Sequence, residues 1–212
     1  ASHIDLQLDA DHTVTVSDNG RGIPIDPHPK FKSKSALEVI LTTLHSGGKF
    51  SGKSYETSGG MNGVGLSVVN ALADTLSVEV ARDKKLWTQS YARGKPAGKR
   101  KDAGKVSGRR GTTISFHPDP KIFGAKVHFR PATLYRMARS KAYLFRGVEI
   151  RWTCAPELLT ADSETPAKAS LHFPGGLKDY LGLTLAERRT ITPAPFAGQA
   201  QLNGGSGTVE WA

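Results

Sequence analysis

The sequence contains a single cysteine, Cys154, among its 212 residues. One cysteine excludes an intrachain disulfide and is typical of proteins that work in a reducing cytoplasm, where a buried thiol acts as a small hydrophobic group. No apolar run is long enough to span a bilayer, and no secretory signal is recognisable. We therefore predict a cytoplasmic globular protein with no membrane partner, whose 38% hydrophobic residues suffice for a core.

Acidic residues are scarce relative to basic ones, with 19 Asp and Glu against 29 Lys and Arg. Most of the excess lies at 93–110, where eight basic residues and one acid give +7 of the formal net charge of +10. No aromatic residue is interleaved there, so base stacking is not indicated. The segment also contains several glycines, and we interpret it as a solvated connecting loop. Contact with the phosphate backbone of DNA is the alternative.

Glycine is concentrated in one stretch, Leu44–Val69, at positions 47, 48, 52, 59, 60, 63 and 65. A glycine-rich loop that opens a helix exposes backbone N–H groups at the positive end of the helix dipole, which favours phosphate. We predict that this loop closes over the phosphates of a nucleotide. A flexible surface loop before a helix is the alternative.

A misleading motif lies inside this stretch, because residues 47–54 match the P-loop pattern G-x-x-x-x-G-K-[ST]. The pattern is meaningful only between a strand and a helix. Here a helix is predicted before it, at 35–45, with a capping box at Ser35 and Glu38 and with Gly47-Gly48 at its end. Its apolar face is predicted to carry Leu37, Ile40, Leu41 and Leu44. The residues that follow 47–54 do not favour a helix, so we reject a P-loop.

Alternating and helical patterns predict the order β-β-α-α-β-β-β-α-β-β, which is typical of an α+β fold with a largely antiparallel sheet and helices on one face. An apolar hairpin over residues 4–16 comes first. The later strands are predicted at 76–82, 86–92, 111–116, 148–154 and 171–173, and the later helices at 64–72, 131–144 and 177–185. Pro193 and Pro195 indicate a boundary, so residues 1–187 are predicted to form one domain and residues 188–212 a linker and the start of another.

Two polar positions stand at predicted strand ends. Asp18 precedes Asn19-Gly20-Arg21-Gly22-Ile23-Pro24, and its carboxylate can accept a hydrogen bond from an exocyclic amine such as that of adenine. An Asx turn is the alternative reading of Asp18. Thr112 begins another strand and can face the same pocket, although threonine is also common in strands for its β-propensity.

Three motifs now combine in order, namely Asp18-x-Gly20-x-Gly22-Ile23-Pro24, Ser58-Gly59-Gly60-Met61-Asn62-Gly63-Val64-Gly65 and Gly111-Thr112. Together they resemble the GHKL, or Bergerat, ATP-binding fold shared by B subunits of type II DNA topoisomerases, a chaperone family and histidine kinases. The strings at 44–50 and 67–72 are similar to those of bacterial topoisomerase IV and gyrase B subunits. Topoisomerase IV is favoured by residues 34–44 and 55–58, and gyrase is the alternative. A non-catalytic nucleotide-binding module is the alternative of another class.

The resemblance implies a two-layer sandwich of a mostly antiparallel mixed sheet with helices on one face. It also implies a set of ATP- and inhibitor-binding residues: Asp18, Arg21, Gly22, Ile23, Pro24, Lys49, Tyr55, Gly60, Met61, Asn62, Gly63, Val64, Gly65, Leu66, Arg82 and Thr112. Asp18, Thr112 and an ordered water would hold adenine, and residues 22–24 would form the pocket wall. Lys49 and Tyr55 would belong to the lid, and backbone N–H groups of residues 60–66 would wrap the triphosphate. Arg82 would stand at the pocket mouth, where aminocoumarin inhibitors overlap the adenine site.

The resemblance further implies an enzyme that couples ATP binding and hydrolysis to the passage of one DNA duplex through another. Its cofactors would be ATP and Mg²⁺. Its partners would be duplex DNA, the A subunit of topoisomerase IV, ATP-competitive inhibitors and, once ATP is bound, a second B subunit. The family's catalytic glutamate and magnesium-binding asparagine match no position here. We therefore assign no catalytic or metal residue and expect these 212 residues alone to hydrolyse ATP negligibly.

Overall fold

The computed structural model of the chain describes residues 1–46, 62–160, 164–202 and 207–212. A 3-10 turn at Pro156–Leu158 accompanies the regular elements. The strands are β1 His3–Leu8, β2 Val14–Asp18, β3 Ala73–Arg82, β4 Lys85–Ala92, β5 Lys95–Pro96, β6 Lys101–Lys105, β7 Gly111–Pro118, β8 Glu149–Cys154, β9 Lys168–Leu171, β10 Gly198–Gln201 and β11 Thr208–Trp211. The helices are α1 Ala36–Thr42, α2 Gly65–Leu72, α3 Pro120–Phe123, α4 Pro131–Leu144 and α5 Leu177–Leu185.

One large sheet organises the described residues. Eight of its strands lie in the order β5-β4-β3-β7-β2-β1-β8-β9, and β6 also pairs with β4 as the ninth strand. The pairing of β1 with β8 is parallel, and the other pairings in this sheet are antiparallel. The sheet is therefore mixed but mostly antiparallel, as predicted.

One face of this sheet is apolar. Val16 of β2, Ile114 of β7 and Val78 of β3 are aligned in register, so their side chains share a face. Leu37 and Leu41 of α1 belong to the same buried cluster as Val78. At the other end of the face, α4 contributes to a cluster of the buried residues Ala138, Ala142, Ile150 and Leu171. Burial of these side chains is the main term that holds the helices on the sheet.

The opposite face is polar. The Thr15 and Ser115 hydroxyls lie 2.8 Å apart, and those of Ser17 and Thr113 lie 2.7 Å apart. These cross-strand pairs satisfy hydroxyl groups on the face that the described helices leave uncovered. The two-layer α+β arrangement with helices on one face is thus confirmed.

The prediction for α1 was correct at its start and wrong at its end. Ser35 is the N-cap, and its hydroxyl accepts a hydrogen bond from the Glu38 N–H at 3.2 Å. The helix ends at Thr42, three residues earlier than predicted, and the Leu44 side chain is exposed rather than on the apolar face. The Ser46 hydroxyl lies 2.6 Å from the Thr43 carbonyl oxygen, so it satisfies a carbonyl that a longer helix would have used.

The strand predicted at 171–173 instead lies at Lys168–Leu171, and two further features were not predicted. The basic segment at 93–110 is not loop throughout, because β5 and β6 both pair with β4 at the edge of the sheet. Helix α3 also forms, with Asp119 as its N-cap and Pro120 in its first turn. An Asp-Pro pair at a strand end is a recognisable helix-start signal.

Residues beyond α5 form a small unit, in which β10 and β11 make a separate antiparallel pair. Helix α5 has the predicted bounds, whereas the domain boundary at 187/188 stays a prediction. Cys154 is buried as predicted, and burial raises the pKa of its thiol. No helix within the described ranges is long and apolar enough to cross a membrane.

Candidate nucleotide-binding site

Three of the predicted site residues meet at one end of the sheet. Asp18 ends β2, Thr112 is the second residue of β7 and Arg82 ends β3. Val16 pairs with Ile114, and Thr112 pairs with Val80, so strand alternation places these three side chains on the helix-bearing face. Each of the three polar side chains lies at the end of an apolar row on its strand, at the edge of the core.

The two oxygens of the Asp18 carboxylate have different environments. Oδ1 accepts a hydrogen bond from the Gly20 N–H at 2.7 Å, which is the Asx turn considered as the alternative. Oδ2 has no hydrogen-bond donor among the residues that the structure describes. The turn and the acceptor role are therefore compatible, because the turn orients the carboxylate and leaves one oxygen available.

Glycines bring the surrounding backbone close to this carboxylate. A Cβ at Gly111 would lie 1.8 Å from the Asp18 carbonyl oxygen, and φ at Gly111 is +119°. Gly22 has φ +75°, and a Cβ there would lie 3.1 Å from both the Ala81 carbonyl oxygen and Val80 Cγ1. Both positions favour glycine, because side chains rarely adopt this φ, and at Gly111 the backbone also leaves no room for a Cβ. Gly111 belongs to the third sequence motif, but its positive φ and its close approach to Asp18 were not predicted.

Thr112 and Arg82 hold the loop that follows Asp18. The Ile23 N–H donates to the Thr112 hydroxyl at 3.1 Å, and Thr112 is buried. Arg82 Nη1 donates to the Gly22 carbonyl oxygen at 3.0 Å. Ile23 packs against the core, whereas Pro24 and Arg21 are exposed. The predicted pocket wall is therefore a loop that is fixed to the sheet by two polar side chains.

Helix α2 presents its N-terminus without a capping side chain. Val64 is the N-cap and makes no side-chain hydrogen bond, and the first turn contains no acid. Gly63 has φ +61°, and Gly65 is exposed with no atom within 4 Å of a Cβ built on it. The N–H groups in the first turn of any helix lack intrahelical acceptors. This end of α2 suits an anion such as phosphate.

The rest of α2 is firmly attached to its neighbours. The Asn70 side chain is fully buried, and its Nδ2 donates to the Leu41 carbonyl oxygen of α1 at 2.9 Å. Leu66 packs partly buried against the large core. Before the helix, His45 Nδ1 lies 3.2 Å from the Asn62 carbonyl oxygen and donates to it. The role of Asn70 was missed, although a lone amide in an apolar helix was a signal.

Four of the predicted site residues, Lys49, Tyr55, Gly60 and Met61, lie outside the described residues and stay predictions. The polar set at the sheet end fits a nucleoside and a phosphate chain, since it offers one open carboxylate oxygen and an uncapped helix N-terminus. A magnesium site has no such support, because within the described ranges no group of three or more His, Cys, Asp or Glu side chains is arranged so that it could hold a metal ion.

The arginines of the basic segment bind within the protein. Arg93 Nε lies 2.5 Å from Asp119 Oδ2, Arg109 Nη2 lies 2.5 Å from Glu79 Oε2, and Arg110 Nε donates to the Asn19 carbonyl oxygen at 3.1 Å. The Arg100 guanidinium lies 4.5 Å from the centre of the Trp87 ring. Four lysines of this segment make no ion pair with the part of the chain that the structure describes, namely Lys95, Lys99, Lys101 and Lys105.

The fold, a mostly antiparallel sheet with helices on one face, is that of a class of ATP-binding domains. The family model described as "Histidine kinase-, DNA gyrase B-, and HSP90-like ATPase" matches residues 1–122. The chain belongs to this family. The predicted family is thereby confirmed.

Relatives within the family are bacterial topoisomerase subunits. The chain is 53% identical over its full length to the DNA topoisomerase 4 B subunits of Bartonella bacilliformis and Caulobacter vibrioides. It is 41% identical over 92% of its length to the DNA gyrase B subunit of Clostridium acetobutylicum. It covers 31%, 30% and 29% of these three proteins, so the chain spans about a third of the length of the curated relatives that it matches.

A solved structure has the same fold. The 43K ATPase domain of Thermus thermophilus gyrase B, crystallised in complex with an aminocoumarin, matches with a TM-score of 0.76 and 31% identity. The match covers 94% of this chain and 48% of that one. The predicted fold class is confirmed by this likeness.

Proposed function

We propose that this chain is the ATP-binding region of a bacterial topoisomerase IV B subunit. The intact protein would be a cytoplasmic enzyme that couples ATP binding and hydrolysis to the passage of one DNA duplex through another. The observation that carries the proposal is the Asp18 carboxylate, which has one oxygen held by the Gly20 N–H at 2.7 Å and the other open at the end of the sheet. The relatives' names, at 53% identity over the full chain, support the assignment to topoisomerase IV.

In this proposal Asp18 accepts a hydrogen bond from the adenine amino group. Thr112, whose hydroxyl already accepts from the Ile23 N–H, donates its proton toward an ordered water at the same edge of the base. The loop from Gly22 to Pro24 forms one wall. These groups select a ligand that has a hydrogen-bond donor at this position. A ligand without that donor would leave the Asp18 carboxylate oxygen unsatisfied in the pocket.

The phosphate chain then extends to the N-terminus of α2. Its first N–H groups and those of the glycine-rich loop, including Gly60 and Met61, bind the phosphate oxygens, and Lys49 and Tyr55 close over them. Mg²⁺, when bound to the triphosphate, would neutralise phosphate charge, and its protein ligands are proposed to lie outside these 212 residues. Arg82 holds the wall through the Gly22 carbonyl oxygen and lines the mouth at which an aminocoumarin would bind.

The proposed partners of the intact enzyme are duplex DNA, the A subunit of topoisomerase IV and a second B subunit. The four lysines of the basic segment that make no ion pair are the candidate contacts to DNA phosphates. Their charges remain available, whereas the neighbouring arginines make contacts within the protein. Changing Lys99 and Lys101 to serine in the intact enzyme should lower DNA-stimulated ATP hydrolysis. Unchanged stimulation would favour the solvated segment instead.

The proposal is tested by calorimetric titration of the chain with a non-hydrolysable ATP analogue and with an aminocoumarin. We expect Asp18→Asn to weaken both by at least about a hundredfold, because the amide offers a poorer acceptor and presents an N–H donor to the adenine amine. The matched control is Asp5→Asn, which changes the same group on the polar face of the same sheet. Equal binding by the parent chain and Asp18→Asn would refute the site.

The gyrase B subunit is the second candidate, favoured by the solved gyrase ATPase structure with the same fold. The two are distinguished in the intact enzyme, which contains both A and B subunits. ATP-dependent decatenation without introduction of negative supercoils supports topoisomerase IV, and ATP-dependent supercoiling supports gyrase. ATP binding with no turnover by the intact enzyme would support a non-catalytic nucleotide-binding module.

A further inference from the structure

A cavity lies at the end of the β1–β2 hairpin that is opposite to Asp18. It has a volume of about 400 Å³ and is bordered by the hairpin turn, the segment before α4 and the 3-10 turn. Its lining includes His12, Lys126, His128, Arg130, Pro131 and Leu158. The proposed function uses none of these residues.

The wall of this cavity is cationic. Lys126 and Arg130 bring two permanent positive charges, His12 and His128 bring two imidazoles, and no lining residue is acidic. In the described part of the chain neither Lys126 nor Arg130 makes an ion pair with a carboxylate. Asp11 is the neighbouring acid, and its carboxylate is already engaged by the Thr13 N–H at 2.9 Å and the Thr13 hydroxyl at 3.0 Å. Within the described protein, no ion pair therefore neutralises Lys126 or Arg130 at this cavity.

The histidine pair is unusual in its arrangement. The rings of His12 and His128 are stacked, with centroids 4.0 Å apart and planes inclined by 10°. His12 has φ +65°, a conformation that non-glycine residues rarely adopt. Its Nδ1 is closed off from solvent and has no hydrogen-bond partner among the described residues. A buried polar atom without a partner is uncommon in folded proteins.

Helix α4 adds its dipole at the same place. Arg130 is the N-cap of this 14-residue helix but makes no side-chain capping bond, and the first turn contains no acid. Pro131 occupies the first turn and also lines the cavity. The positive end of a long helix thus faces the cavity that holds the four basic side chains, which strengthens its attraction for an anion.

We propose that this cavity is a second anion site, distinct from the ATP site, which binds a phosphate group. Lys126 and Arg130 donate charge-assisted hydrogen bonds to the phosphate oxygens, and the imidazole pair lies beside them. Free phosphate compounds and the phosphodiester backbone of DNA share this chemistry. The site stands about one strand length from Asp18, so ligand at one site does not fill the other.

The test is a titration of the chain in which binding is monitored through the imidazole signals of His12 and His128 in NMR spectra. The probes are inorganic phosphate and a short duplex DNA without terminal phosphates. We expect saturable shifts at both histidines, and a loss of affinity of about tenfold or more in the double variant Lys126→Gln, Arg130→Gln. The matched control removes two other exposed charges, Lys121→Gln and Arg136→Gln, and should change affinity by less than about twofold.

Each outcome decides the question. Saturation by inorganic phosphate assigns the site to free phosphate compounds, whereas saturation by duplex DNA alone assigns it to the DNA backbone. Absence of saturable shifts with either probe, or equal weakening in the control variant, would refute a built site. The ATP analogue should bind the Lys126→Gln, Arg130→Gln variant normally, so failure here is distinguishable from failure of the proposed function.

A second readout follows from charge. Burial lowers the pKa of His12, and the neighbouring His128 and His117 lower it further, against the opposing effect of Asp11. A bound phosphate dianion beside Lys126 and Arg130 should raise the pKa of His12, because it stabilises the charged form of this imidazole. The His12 titration curve should therefore shift to higher pH with saturating phosphate and stay unshifted in the Lys126→Gln, Arg130→Gln variant.

Discussion

At the scale of single residues, the most constrained position is Gly111. Its φ of +119° and the 1.8 Å approach of a built Cβ to the Asp18 carbonyl oxygen leave no conformation for alanine. We expect Gly111→Ala to lower the free energy of unfolding by about 3 kcal/mol or more, because backbone must move against backbone. Urea unfolding of both proteins measures the difference.

The matched control is Gly104→Ala. Gly104 also has a positive φ, +102°, but nothing lies within 4 Å of its built Cβ. This control should cost only about 1 kcal/mol, from φ strain alone. Equal destabilisation by the two substitutions would show that contact with Asp18 is not the cause.

Asp119 illustrates how one carboxylate serves several elements. It is buried, it caps α3, and the Arg93 guanidinium contacts its Oδ2 at 2.5 Å. The hydrogen bond from Arg93, together with one from the Lys121 N–H, holds the pKa of the Asp119 carboxyl below its usual value of 3.8. A lowered pKa means that the stabilisation is present above about pH 3.8 and is lost as pH falls through the folded-state value.

We therefore expect Asp119→Asn to lower the melting temperature at pH 7. Below about pH 3.8 the melting temperature of the variant should approach that of the parent protein. Thermal melts over a pH series test this, with the exposed Asp26→Asn as control. A melting difference that stays constant from pH 7 to acid would contradict the linkage.

At the scale of elements, α2 connects the proposed phosphate-binding end of the site to the core. Asn70 is fully buried and donates to the Leu41 carbonyl oxygen, and its own backbone carbonyl accepts from the Gly94 N–H at 2.9 Å. Asn70→Ala should cost about 1–3 kcal/mol, since it leaves a buried carbonyl unsatisfied.

This substitution should also weaken binding of an ATP analogue. Without the hydrogen bond to α1, helix α2 and therefore its N-terminus are held less firmly. Calorimetry and urea unfolding together separate the two effects. The control is Val68→Ala on the exposed side of the same helix, where the side chain is 41% exposed. Normal nucleotide affinity in Asn70→Ala would mean that the N-terminus of α2 is positioned without this contact.

The elements that could be predicted are those whose signals are local. The Ser35 cap, the Asp18 turn and the Pro131 start of α4 each depend on neighbours in sequence. The bonds from Arg82 to Gly22 and from Ile23 to Thr112 connect residues 60 and 89 positions apart, so they depend on strand register. The edge strands β5 and β6 were missed for the same reason, since a lysine- and glycine-rich segment has low strand propensity and pairs only because β4 offers an open edge.

At the scale of the whole molecule, the sheet carries its two candidate sites at opposite ends of one hairpin. Strands β1 and β2 run from the turn at Asp9–His12 to the end at Asp18, with a buried apolar stripe between. Strand alternation keeps this stripe and Asp18 on the helix-bearing face. The core that stabilises the fold is thus the same structure that separates the proposed ATP site from the proposed phosphate site.

A carboxylate of the small β10–β11 sheet contacts the large unit. Glu210 of β11 accepts hydrogen bonds from the Arg146 guanidinium and, at 3.0 Å, from the Leu177 N–H at the start of α5. Gly176 has φ +59°, and a Cβ there would lie 2.7 Å from Glu210 Oε1, so only glycine admits the carboxylate. Glu210→Gln should weaken this junction, because it replaces a charge-assisted contact with a neutral one.

We expect faster amide hydrogen exchange over residues 198–202 and 207–211 in Glu210→Gln, with exchange over β3 and β7 unchanged, because the two sheets open as separate units. Glu187→Gln, an exposed change of the same type, is the control. Faster exchange throughout both sheets would instead mean that the carboxylate stabilises the entire molecule. Unchanged exchange would assign the junction to other contacts, such as that from Arg146 Nη1 to Gln199 Oε1 at 3.4 Å.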